Sequence, residues 1–204
     1  MKKTIILSVL GLTVAAVSSY GQGNIQFNTY YANNSAGIKT TYGEGPNVGA
    51  GIGSTFTGVL LWSSTPITES ATTASVPVGT LLNSGWNIGS VGTFDTGSAA
   101  GAGGIGYIYG PDLNITAAVG TTLYFEIAAY TGSSYASTVG GYAGHSAPFQ
   151  ATLVTGNTLT SANQINAMQP FSVYSVVDVP EPATLALAGL GGFGMLMALR
   201  RKKA

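Results

Sequence analysis

The sequence predicts an all-β protein: a single antiparallel β-sandwich domain, flanked by an N-terminal signal peptide and a C-terminal transmembrane helix. Three observations carry this. Short runs rich in β-branched and aromatic residues recur along residues 22–178, separated by Gly, Pro, Asn and Ser. No stretch of that body sustains a 3.6-residue apolar period with caps at both ends, so helices have little to build on. The two longest uncharged apolar segments lie at the extreme ends of the chain, each beside a basic cluster.

The first element is the leader, residues 1–21. Lys2-Lys3 form a positive n-region, Ile5 to Val17 an apolar core too short to cross a bilayer comfortably, and Ser19-Tyr20-Gly21 a small-x-small site. That site places cleavage before Gln22, with cleavage after Ser19 as the alternative. The body, 22–178, follows with candidate strands at Asn24 to Tyr31, Thr55 to Trp62, Val76 to Leu82, Gly104 to Tyr109, Thr121 to Tyr130, Pro148 to Leu153 and Phe171 to Val177. Of these, Thr121 to Tyr130 has the clearest pattern. Leu123, Phe125 and Ile127 fall on one face and Tyr124, Glu126 and Tyr130 on the other, a half-buried strand of period two. Ser161 to Met168 is a candidate short helix. Ser35 to Ser54, Thr96 to Gly106 and Ser133 to Ser146 are Gly- and Ser-rich and read as long loops.

Composition narrows the function classes. Seven basic residues balance seven acidic ones over the 204-residue chain, yet six of the basic residues lie in the two ends. Residues 22–178 keep Lys39 against Glu44, Glu69, Asp95, Asp112, Glu126 and Asp178, a formal charge of −5. Such a surface offers no phosphate-binding patch, so no nucleic acid is expected as a partner. The absence of cysteine removes thiol nucleophiles, Cys-ligated metals and disulfides. General acid–base catalysis needs positioned titratable pairs, and the body has few candidates.

The tail, residues 179–204, is the most specific segment. Ala183 to Leu199 carries no charge and as a helix reaches about 25 Å at roughly 1.5 Å per residue, close to a bilayer core of about 30 Å. Arg200, Arg201, Lys202 and Lys203 then act as membrane-stop charges that hold this end in the cytoplasm and leave the body outside. Pro180 and Pro182 stop the helix from extending upstream and leave Glu181 in an extended tripeptide that another protein can read. The simpler reading of the same residues is a plain C-terminal anchor or a buried hydrophobic helix.

Pro180-Glu181-Pro182, the Gly-rich span and the basic cluster together resemble the PEP-CTERM sorting signal of Gram-negative, exopolysaccharide-producing bacteria. The resemblance implies a sorting motif at Pro180, Glu181 and Pro182 and handling by an exosortase in the membrane, while the leader at 1–21 calls for insertion by the Sec translocon. A weaker likeness to uncharacterised proteins of that kind from Verrucomicrobia-like bacteria runs through Gln22 to Asn28, Phe56 to Leu61 and Phe125 to Tyr130. It brings no assigned chemistry with it.

Other fragments that look catalytic have simpler explanations. Asp95-Thr96-Gly97-Ser98 matches one half of an aspartic-protease site, but the second Asp-Thr/Ser-Gly is missing, and an Asx turn closing a strand explains the letters. Gly101 to Gly106 and Gly189 to Gly194 fit a dinucleotide fingerprint on paper, yet neither stands between a strand and a helix. His145 is the sole histidine and reads as an exposed loop residue; no nucleophile elbow accompanies it. No catalytic residues, cofactor or metal site are assigned, although an all-oxygen calcium site drawing on Asp95, Asp112 or Glu126 is left open. Aromatic residues with polar tips suit sugar faces, and Tyr135, Tyr142 and His145 in one loop form the candidate glycan contact.

The expected function is therefore an exported, non-enzymatic protein of the cell envelope or extracellular matrix, with the membrane and an exosortase as partners. The alternative is an exopolysaccharide-binding module on the same scaffold, and a hydrolase is the remote third.

Overall fold

The computed structural model describes residues 22–30, 37–77, 85–95, 105–135, 138, 140–155 and 165–177. The signal peptide, the sorting motif Pro180 to Pro182, the helix 183–199 and the charges at 200–203 lie outside the described residues.

Eleven strands run in chain order: β1 Gly23–Ile25, β2 Thr40–Tyr42, β3 Phe56–Ser63, β4 Val76–Pro77, β5 Asn87–Phe94, β6 Ile108–Tyr109, β7 Leu113–Ile115, β8 Thr122–Thr131, β9 Tyr142–His145, β10 Phe149–Thr152 and β11 Phe171–Val177. The all-β class holds. In place of two facing antiparallel sheets there is a strongly curled mixed sheet, a half-barrel, with a separate two-stranded sheet of β1 and β7. The large sheet runs β2-β11-β9-β8-β3-β5-β6, with β10 also on β8 and β4 also on β11. It departs from the antiparallel expectation at β11, which pairs parallel with both β2 and β4. One polar clasp joins these pieces. Glu44, just past β2, accepts from the Ser175 backbone N–H and from Ser75 Oγ, 3.0 Å from its Oε2, which holds its carboxyl below the usual range.

The long central pair explains the core. β8 lies antiparallel to β3 along its full length, Leu60 opposite Ile127 and Trp62 opposite Phe125. On one face Leu123, Phe125, Ile127 and Ala129 join Leu60, Phe56, Phe94, Phe171 and Val173 in the main core, to which the small sheet adds Ile25 and Ile115. Phe125 stacks on Phe149 with ring centroids 6.1 Å apart. The other face, expected to meet solvent, is buried as well. Val59, Leu61, Ala128, Tyr130, Tyr135, Ala143 and Val176 form a second cluster, with Trp86 packed against it. β8 is therefore buried on both faces, because it lies between β3 on one side and β9 and β10 on the other, with chain folded over its outer side.

Strands rich in glycine or very short escape the sequence pattern. β5 carries Gly89 at a register shift opposite Leu60/Leu61, where a Cβ would stand 2.5 Å from Leu113 Cδ2 and 2.8 Å from Leu60 O. The bulge thus requires a residue without a side chain. Its apolar Ile88 and Val91 point outward, 75 % and 51 % exposed, so β5 shows no inward apolar stripe. β2, β7 and β9 are three or four residues long; β2 and β9 fall in stretches read as loops, and β7 falls in the gap between the candidate strands Gly104 to Tyr109 and Thr121 to Tyr130. Of the candidate helix, only 165–168 is described, and it forms a single turn closed by Met168 N–H on Ile165 O at 3.0 Å.

Candidate functional site

Elements far apart in sequence meet on the outer face of β8. Glu126 follows Phe125 in the alternation, so its side chain leaves the main core and lies beside Leu61, its cross-strand neighbour on β3. β9 pairs with β8 on the other side, with His145 opposite Ala128, one step along the same face. β9 ends there because Ser146 replaces the ladder with its side chain. Ile127 N–H donates to Ser146 Oγ at 3.1 Å, while Ser146 N–H donates to Ile127 O at 2.9 Å. Residues 64–75 then cross over the top. Thr72 N–H donates to His145 O at 3.0 Å, and His145 N–H donates to Thr72 Oγ1 at 2.9 Å. This docking brings Glu69 over Glu126. Trp86 Nε1–H donates to Glu69 Oε1 at 2.5 Å and fixes that carboxylate from the side.

The resulting cluster is Glu69, Glu126 and His145, each offering one ligand-type atom, all within 4.8 Å of one another. Glu126 has no exposed surface, and neither of its oxygens has a hydrogen-bond partner. His145 Nδ1 lies 3.3 Å from Glu126 Oε1 but makes its hydrogen bond with Ser146 O at 3.0 Å. The contact with Glu126 is thus electrostatic attraction off the hydrogen-bond axis. Glu69 is half-buried, and the His145 side chain keeps 11 % of its surface, so the cluster is reached from outside on the Glu69 side.

Burial dominates the electrostatics. It pushes the Glu126 carboxyl up to about 8, with the like charge of Glu69 adding to the rise and His145 opposing it. For His145 burial acts downward, but Glu126, the Ser146 carbonyl and Glu69 outweigh it and the net direction is up. The Tyr135 phenol is raised by burial, with the charges of Glu126 and Glu69 adding to it.

The sequence-based site residues are separated by the fold. His145 is a buried strand residue, 9 % exposed, and not a loop histidine. Tyr135 is 8 % exposed and packs edge-on to Tyr130, ring centroids 5.8 Å apart, in the outer-face cluster. Tyr142 faces the opposite side of the sheet, against the main core, edge-on to Tyr42 at 5.2 Å. These three residues therefore share no exposed platform. The open calcium reading also changes. Glu126 is brought together with Glu69 and His145, and neither Asp95 nor Asp112 is in that group. The one sequence signal for this cluster was a carboxylate in the otherwise apolar run Leu123 to Tyr130.

The described residues form an all-β body, and among them no helix is long and apolar enough to cross a membrane. Beyond it, residues 178–202 match the PEP-CTERM protein-sorting motif, so the chain carries that motif at its C-terminus. The motif implies an exported protein that an exosortase processes at the cell envelope. No curated protein and no solved structure matches the chain.

Proposed function

We propose that this is a non-enzymatic protein of the cell surface or extracellular matrix, delivered by its tail and released from the membrane by exosortase action. The observation that carries the reading is the sorting motif at 178–202. In this reading the Sec translocon inserts the leader, residues 183–199 stall in the bilayer with Arg200 to Lys203 inside, and Pro180-Glu181-Pro182 stands at the outer face. These are recognition elements and not catalysts. The compact body supports a structural role: both faces of its central strand are packed, and its best-formed polar cluster is largely enclosed. A carbohydrate-binding role finds less support, since Tyr135, Tyr142 and His145 are turned into two different packed faces.

The test is the double substitution Pro180→Ala, Pro182→Ala in the native host, followed by intact mass of the membrane and matrix fractions. Unprocessed protein should accumulate in the membrane with residues 200–203 retained, while the unaltered chain appears outside without them. Normal release of the double variant would overturn the reading.

A further inference from the structure

We infer that Glu69, Glu126 and His145 form a binding site for one first-row divalent cation, with Zn2+ the fitting probe. The inference is independent of the tail and of where the protein is delivered. It stands on three features of the cluster. The first is the donor set: two carboxylates and one imidazole, with no thiolate, are hard-to-borderline ligands that suit Zn2+ and its neighbours. An imidazole is foreign to an all-oxygen calcium site. The second is spacing. His145 Nδ1 and Glu126 Oε1 are 3.3 Å apart, close to the roughly 3.4 Å separating two ligands that each lie about 2.1 Å from a tetrahedral ion. The full group lies within 4.8 Å, so Glu69, itself half-buried on a largely exposed covering segment, has about an ångström to travel to close the set.

The third feature is the state of Glu126. A carboxyl with no exposed surface and no hydrogen-bond partner on either oxygen is costly unless something supplies the missing interactions. A cation held by Glu126 and Glu69 supplies them to Glu126. Binding requires His145 to present Nδ1 as a lone pair, giving up its hydrogen bond to Ser146 O and carrying its proton on Nε2. Coordination therefore releases protons. Trp86, donating to Glu69, orients one ligand as outer partners of metal sites do. The half-buried Glu69 side provides the access route, and water completes the fourth position.

The consequence is structural. Glu69 belongs to the segment folded over the sheet, while Glu126 and His145 belong to β8 and β9. A shared cation staples that cover to the sheet, a cross-link that a chain without cysteine cannot make with a disulfide.

The experiment uses the full chain in detergent, stripped with EDTA and dialysed. Zn2+ is titrated against it, with bound metal measured by equilibrium dialysis and mass spectrometry. Tryptophan fluorescence is followed in parallel, because Trp86 contacts a ligand. One equivalent should bind, with a fluorescence change saturating at the same stoichiometry and a rise in melting temperature. Glu69→Gln and His145→Gln should each weaken binding by about 10- to 100-fold or more, whereas Glu44→Gln, a carboxylate clasp elsewhere on the sheet, should bind as the parent does. Glu69→Gln lies on the largely exposed covering segment and keeps the test valid if substitution at His145 unfolds the protein. Co2+ should give the visible absorption of a tetrahedral site, lost in Glu69→Gln. Absence of saturable binding, or binding that Glu69→Gln and His145→Gln leave unchanged, would overturn the inference. Ca2+ binding as tightly as Zn2+, and insensitive to His145→Gln, would overturn it as well.

Discussion

Replacing Glu126 by Gln should make the metal-free protein more stable at high pH than the unaltered chain, although it deletes a charged group from the centre of a cluster. In the fold the carboxyl titrates at about 8, against an ordinary 4.5. A folded-state value above the unfolded one means that between these limits the folded protein keeps a proton the unfolded chain has released. Stability is therefore fully present below about 4.5 and is lost as pH rises through about 8. At about 1.4 kcal/mol per pH unit this interval sets a ceiling of about 5 kcal/mol, and a realised loss of a few kcal/mol is expected. The other titratable groups facing Glu126 are Glu69, His145 and Tyr135. His145 is raised too, so its contribution also falls as pH rises, and Glu44, lowered by Ser175 and Ser75, acts only toward acid. Urea unfolding with EDTA at pH 5 and pH 9 reads the effect. With a slope of about 1–3 kcal/mol per molar urea, the midpoint of the unaltered chain should drop by roughly 1 M or more. Glu126→Gln should show a much smaller drop, equal or lower stability at pH 5, and higher stability at pH 9. Parallel pH profiles for the two proteins would refute the reasoning, because the buried carboxyl would then not be the titrating group.

Two packing predictions concern the main core on the other face of the sheet. Phe125→Ala removes a fully buried ring stacked on Phe149 and should cost about 3–5 kcal/mol, read as a lower melting temperature with the β-sheet circular dichroism retained below it. Gly58→Ala places a methyl group on Ile108 Cδ1, with Phe94 Cε2 at 3.1 Å, and should cost about 1–3 kcal/mol. Ile108→Val deletes that Cδ1 atom, so the double variant should be more stable than the sum of the two single losses, a positive coupling in a double-mutant cycle.

The legible parts of this protein are those encoded over a few adjacent residues. β8 could be read because ten residues alternate through a period of two, and β11 because Phe171 to Val177 is an unbroken β-prone run. β5 could not, because its glycines serve a bulge and the close approach of neighbouring strands, and Ile88 and Val91 face outward, leaving Phe94 as its one large inward apolar side chain. β9 could not either. Four residues ending in Gly144 and His145 are strand only because β8 and β11 lie on either side of them. Reading that stretch as an open loop led directly to the glycan-contact expectation for Tyr135, Tyr142 and His145, which the pairing of β9 divides between two faces.

The sequence alone determined the address. A sorting signal is recognised as a contiguous string of Pro-Glu-Pro, apolar span and basic cluster, and its information is complete in the order of its residues. The tertiary structure alone decided the chemistry of the body. Glu69, Glu126 and His145 are unremarkable where they stand in the chain, and only the folding of residues 64–75 over β8 and β9 brings their ligand atoms together. The same step removes Glu126 from water, and it is that loss of solvation, which no local pattern encodes, that turns an ordinary carboxylate into a group that holds its proton near neutrality.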